Sequence, residues 1–121
     1  GKEMAIQNAQ LTTTQLDLVT VPSDKSYAIT NIMVCNTFDP NDGAAASNGA
    51  SFDIHLIKSG QALSNSITCL VRELSLPAGE TFTFDSERIV LEQGDKVSFV
   101  AQPNTGSGNT NLSAVVSYLE V

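Results

Sequence analysis

A chain of 121 residues with thirteen acidic and six basic side chains carries a formal charge of −7, a field that repels nucleic-acid phosphates and anionic lipid headgroups. Hydrophobic residues make up 41% and charged residues 16%. That is too apolar for a disordered chain and too sparsely charged for a coiled coil, while the length suits a single hydrophobic core. No long apolar run and no basic-then-apolar leader is present, so neither a membrane segment nor a signal peptide is expected.

Residues 1–15 read as an N-terminal segment ahead of one domain over 16–121. Only residues 4–11 hold a trace of helical spacing. From Leu16 onward, short runs rich in Val, Ile, Phe, Thr and Tyr alternate with clusters of Gly, Pro, Asn, Asp and Ser, the punctuation of strands and turns. The first strand is expected over 16–21, closed by Pro22, and the second over 27–37. Residues 39–50 read as one exposed, mobile loop, too small and polar for a stable helix. Residues 51–58 alternate, with Phe52, Ile54 and Leu56 inward and Asp53 and His55 on the polar side. A further strand is expected over 66–76, with Leu70, Leu74 and Leu76 facing the core. Pro77-Ala78-Gly79-Glu80 is a strong turn, followed by Phe82 and Phe84 on one face. Residues 89–91 lead through a turn at Gly94 into a strand over 96–101, a second polar loop spans 103–111, and 112–121 is the last strand. The expectation is an all-β antiparallel sandwich of about seven or eight strands with jelly-roll or related Greek-key connections.

Catalytic chemistry is not written in this sequence. His55 is the only histidine, and its position on the polar side of a strand predicts an imidazole facing solvent or an interface. No G-x-S-x-G elbow occurs, and neither Cys35 nor Cys69 has a nearby histidine in sequence. The Asp39-Pro40-Asn41-Asp42-Gly43 stretch has the oxygen donors of a calcium loop but not its spacing, since Ala44 and Ala50 stand where Gly and Glu are required. Gly79, Gly94, Gly106 and Gly108 are turn glycines, not a phosphate cradle. No metal or other cofactor is expected. A sugar-stacking surface would have to come from Tyr27 and Tyr118, because there is no tryptophan.

The most informative feature is a second apolar face. If Ile32 and Val34 point inward, Met33 and Cys35 point outward. If Leu70 and Leu74 point inward, Cys69 and Val71 point outward, as does Ile57. These five residues form the candidate interface, covered either by residues 4–11 of the same chain or by a neighbouring copy. Cys35 and Cys69 read as small packing groups, with a disulfide open to them if their strands are neighbours.

The run 27–37, which ends in Cys35-Asn36-Thr37, the Leu76-Pro77-Ala78-Gly79-Glu80 turn, and residues 89–95 with their Gly94-Asp95 turn before Val97-Ser98-Phe99-Val100 resemble small β-sandwich structural proteins of tailed bacteriophage virions, particularly those of marine and cyanobacterial phages. The similarity covers about residues 16–121. It implies a non-enzymatic capsid-decoration, neck, tail or fibre component in the virion, binding other copies of itself as a dimer or trimer and other virion proteins. A carbohydrate- or receptor-binding module that uses the loops 39–50 and 103–111 is the alternative.

Overall fold

The computed structural model describes residues 4–102 and 110–121. Eight strands run in chain order: β1 (Met4–Gln10), β2 (Leu16–Thr20), β3 (Tyr27–Asn36), β4 (Ala50–Ile57), β5 (Cys69–Leu76), β6 (Thr81–Leu91), β7 (Lys96–Ala101) and β8 (Leu112–Glu120). They form two antiparallel four-stranded sheets, β1-β8-β3-β6 and β2-β7-β4-β5. The architecture is the expected all-β antiparallel sandwich. Residues 103–109 of the second predicted loop lie outside the described residues.

Alternation along the strands explains the core. Ile32 and Val34 of β3, Ala114 and Val116 of β8, Phe52 and Ile54 of β4, and Val97 and Phe99 of β7 are all buried between the sheets, as period-2 strands with one apolar face require. Residues 4–11, where helical spacing left a trace, are no helix: β1 is an edge strand paired with β8 from Met4↔Leu119 to Gln10↔Ser113. The segment is thus part of the first sheet and not a cover laid over it.

Asn36, the middle residue of the Cys-Asn-Thr run, ties the end of β3 to three other segments. Its fully buried amide donates to the backbone oxygens of Asn48 (2.9 Å) and Leu76 (3.0 Å) and accepts from the Phe38 N–H at 3.1 Å. The Gly79 N–H in turn donates to the Asn36 backbone oxygen at 2.9 Å. One polar side chain here satisfies buried backbone groups that no strand ladder reaches. The Gly94-Asp95 turn works similarly. Asp95 accepts from the Ser59 and Glu92 N–H groups, each at 2.9 Å, and Gly94 sits at φ 83° with its missing Cβ directed at the Ser59 hydroxyl, so only glycine fits.

Candidate functional site

The structure divides the five candidate interface residues between the two sheets. Met33 is 38% exposed and stands between Val115 of β8 and Thr83 of β6 on the outer face of the first sheet. Cys35 lies on the same face, one row along, between Ser113 and Thr81. Ala28, Leu119 and Val90 form another apolar row there; Val90 is exposed, as is Ile6 on β1. This outer face carries two of the five residues read from the sequence pattern, Met33 and Cys35.

The other three candidates belong to the second sheet and do not join it. Ile57 is only 1% exposed yet stands outside the main core cluster. It keeps the outward parity read from sequence, but residues 58–68 fold back beside it, anchored where the Leu56 N–H donates to the Thr68 oxygen at 3.0 Å. Val71 is corrected in direction: register shifts between β4 and β5 at Phe52/Ile54 and Ile54/His55 place it opposite Ile54, and it packs against the core. A bulge adds a residue and so reverses the inward and outward assignment beyond it. Cys69 is half-buried opposite His55, its Sγ donating to the Val71 oxygen at 3.2 Å, and burial pushes its thiol pKa up. Cys35 and Cys69 are both free and occupy different sheets, so the shared face that a disulfide between them required does not exist.

His55 is the second correction. It is fully buried instead of facing solvent, and its Nδ1 lies 2.8 Å from the Thr68 hydroxyl. That hydroxyl donates to the Ser64 oxygen and accepts from the Ser64 N–H, so Nδ1 carries the proton and donates. Nε2 is left without a hydrogen-bond partner among the described residues. Across the sheet, Cys69, His55, Ser98 and Asp17 fall in one row. The residue types are those of a hydrolytic triad, but the connections are not: the Ser98 hydroxyl donates straight to Asp17 at 2.7 Å, whereas a triad needs the imidazole between nucleophile and carboxylate.

Burial holds the His55 pKa below its ordinary 6.5, with Arg72 lowering it further and Asp53 opposing. An imidazole that stays neutral when folded but protonates when unfolded makes the unfolded state bind more protons. Stability is therefore full above about pH 6.5 and falls below it, by up to about 1.4 kcal/mol per pH unit. The Asp17 carboxyl acts in a separate window. Burial raises its pKa, but hydrogen bonds from Ser98 and Gln15 and the charge of Lys96 outweigh that and hold it below 3.8, so its contribution is lost only in stronger acid. Thermal unfolding at pH 7.5 and 5.5 should show a smaller acid loss for His55→Gln than for the wild type. Equal losses would contradict this origin.

A cavity of about 330 Å³ opens at the side of the sandwich where the edge strands β1 and β2 face each other, with Gln7, Asp17, Thr20, Pro22, Tyr27 and Tyr118 in its lining. Tyr27 and Tyr118 stack there at 4.4 Å and 27°, and Gln7 Nε2 donates to the Tyr118 hydroxyl at 3.3 Å. Burial and the neighbouring phenol of Tyr118 push the Tyr27 pKa up. In the 39–50 loop, Asp39 and Asp42 accept from the Asn41 and Ala44 N–H groups. Their carboxylates are turn-forming groups, and among the described residues no group of three or more His, Cys, Asp or Glu is placed to hold a metal. Among the described residues no helix is long and apolar enough to cross a membrane.

No protein-family model matches this sequence, and no curated protein matches it either. A solved structure described as the acidic stable capsid structure of Helicobacter pylori bacteriophage KHP30 contains a chain of similar fold, with a TM-score of 0.51 and 12% identity, covering 98% of this chain and 86% of that one. At that identity the likeness shows a shared β-sandwich fold that extends over nearly the whole molecule.

Proposed function

We propose that this chain is a non-enzymatic structural component of a phage particle, acting through protein–protein contacts as a homo-oligomer. The observation that carries the reading is the fold likeness, over 98% of this chain, to a chain of a phage capsid structure. The sheet orders β1-β8-β3-β6 and β2-β7-β4-β5 support a jelly roll, an architecture that viral shells use repeatedly. A contact surface for other virion proteins is offered by Met33 and Val90, with Cys35 beside them, on the outer face of the first sheet. Decoration, neck, tail and fibre positions all suit such a protein.

A glycan- or receptor-binding module is the second reading, and the tyrosine-lined cleft favours it. Its two rings stack on each other, which removes aromatic surface that a sugar would otherwise cover, so the structural role ranks first. Peptide mass spectrometry of purified particles from the phage that encodes the chain is the deciding experiment. The chain should be recovered at a fixed ratio to the major capsid subunit; particles that lack it would overturn the proposal.

A further inference from the structure

Four strands border this sandwich, and three of them are defended against pairing with another chain. β2 has five residues, slips register between Asp17 and Val19, and carries the Asp17 carboxylate. β5 slips twice against β4, holds Glu73 at φ 46°, and carries Arg72 and Glu73. β6 slips where it passes Ile29 and Asn31 of β3 and carries Asp85, which accepts a hydrogen bond from Asn31. Charges, bulges and short length are the devices that keep sheet edges from extending. β1, Met-Ala-Ile-Gln-Asn-Ala-Gln, has none of them: it is free of charge, proline and glycine, and it runs in unbroken register with β8 over seven residues.

We infer that the β1 edge is the site at which a second copy of this chain adds on, antiparallel, joining the two first sheets into one continuous sheet of eight strands. This rests on the self-associating role proposed above and names the surface. Sequence complementarity identifies the occupant. An antiparallel pair centred on Gln7 sets Gln7 against the partner's Gln7, Ala5 against the partner's Ala9, and Ile6 against the partner's Asn8. No charge meets its like, and the inward row holds only small alanines beside the central glutamine pair. Charge makes the same point from the other side. The chain carries −7, so copies repel at long range, and a twofold pairing through β2 or β6 would bring the carboxylates of Asp17 or Asp85 toward their counterparts. Only β1 lets two acidic chains meet along neutral backbone. Ile6, 59% exposed on the outer side of β1, would gain cover there, and the joined sheet would continue the apolar outer face on which Met33 and Val90 lie.

The test is a charge swap on the full chain at positions 6 and 8, which face each other in the centred register. Ile6→Lys with Asn8→Lys sets lysine against lysine across the twofold, and Ile6→Glu with Asn8→Glu does the same with carboxylates. By light scattering at about 100 µM the wild type should have the mass of a multiple of two chains. Each double variant should fall to half that mass or dissociate at least tenfold more readily, and an equimolar mixture of the two should recover the wild-type mass. Circular dichroism verifies that each remains folded; if the lysine variant unfolds, the glutamate variant alone decides, half the wild-type mass or at least tenfold easier dissociation being expected and the wild-type mass overturning the inference. Double variants that keep the wild-type mass overturn edge pairing while leaving a self-associating structural protein intact, with Met33→Lys then locating the interface. A wild type that scatters as one chain overturns the edge inference together with the homo-oligomer.

Discussion

Asn36→Leu should lower the unfolding free energy by about 3–5 kcal/mol, although leucine keeps the branched skeleton of asparagine. The change strands three buried backbone groups at once: the oxygens of Asn48 and Leu76, which the amide now satisfies, and the Phe38 N–H, which it accepts. Each orphan costs about 1–3 kcal/mol, and partial relaxation toward water keeps the sum below the upper limit. Against a domain stability of roughly 5–15 kcal/mol, the variant would be folded only marginally. Asn36→Asp separates donor from acceptor. It keeps an oxygen for the Phe38 N–H but turns a carboxylate toward two carbonyl oxygens, so it should be at least as damaging at pH 7 and recover part of the loss near pH 4, where the acid regains a proton to donate. Urea unfolding at the two pH values measures both variants; a loss under about 1 kcal/mol for Asn36→Leu would show that the amide is not the tie described.

Phe52→Ala should be comparably severe, at about 3–5 kcal/mol, for an apolar reason. The ring is fully buried in β4, and it meets Phe82 of β6 edge to face at 5.7 Å and 61°, so one contact spans both sheets. Truncation removes the transfer energy of the ring and leaves a cavity that the two sheets, each held by its own ladder, cannot close. About 1 kcal/mol of the loss belongs to the aromatic pair itself, which a double-mutant cycle with Phe82→Leu isolates. Phe52→Leu, which keeps most of the burial, should lose clearly less. Equal losses for the alanine and leucine variants would contradict the cavity account.

Much of this architecture is legible in the alternation of apolar residues. Parity alone places Phe52 and Ile54 inward, and the strand boundaries follow the Pro, Gly and Asn clusters. Parity fails for Val71, because the slips between β4 and β5 leave no mark in composition. It holds for Ile57 and His55, yet their outward faces are covered by residues 58–68, a stretch whose sequence says turn but not where the turn comes to rest. The N-terminal strand was missed because Met4–Gln10 has so few large apolar residues that its pairing with β8, not its own pattern, makes it a strand. Tyr27 and Tyr118 share a cleft only through the meeting of β3 and β8. The clamp at Asn36 was visible as a motif without a mechanism; its partners at Asn48 and Leu76 supply the mechanism.

The pairing of β1 with β8 also fixes when the molecule can finish forming. Met4 lies opposite Leu119, so during synthesis the first strand leaves the ribosome with no partner and waits for nearly the entire chain to follow. Closing so long a loop is entropically slow, and the first sheet is completed only once β8 has been made. In that interval an uncharged strand is open to any nascent neighbour, which is most dangerous for a protein made in many copies at once. The finished molecule then holds the start of β1 and the end of β8 side by side at one corner of the first sheet.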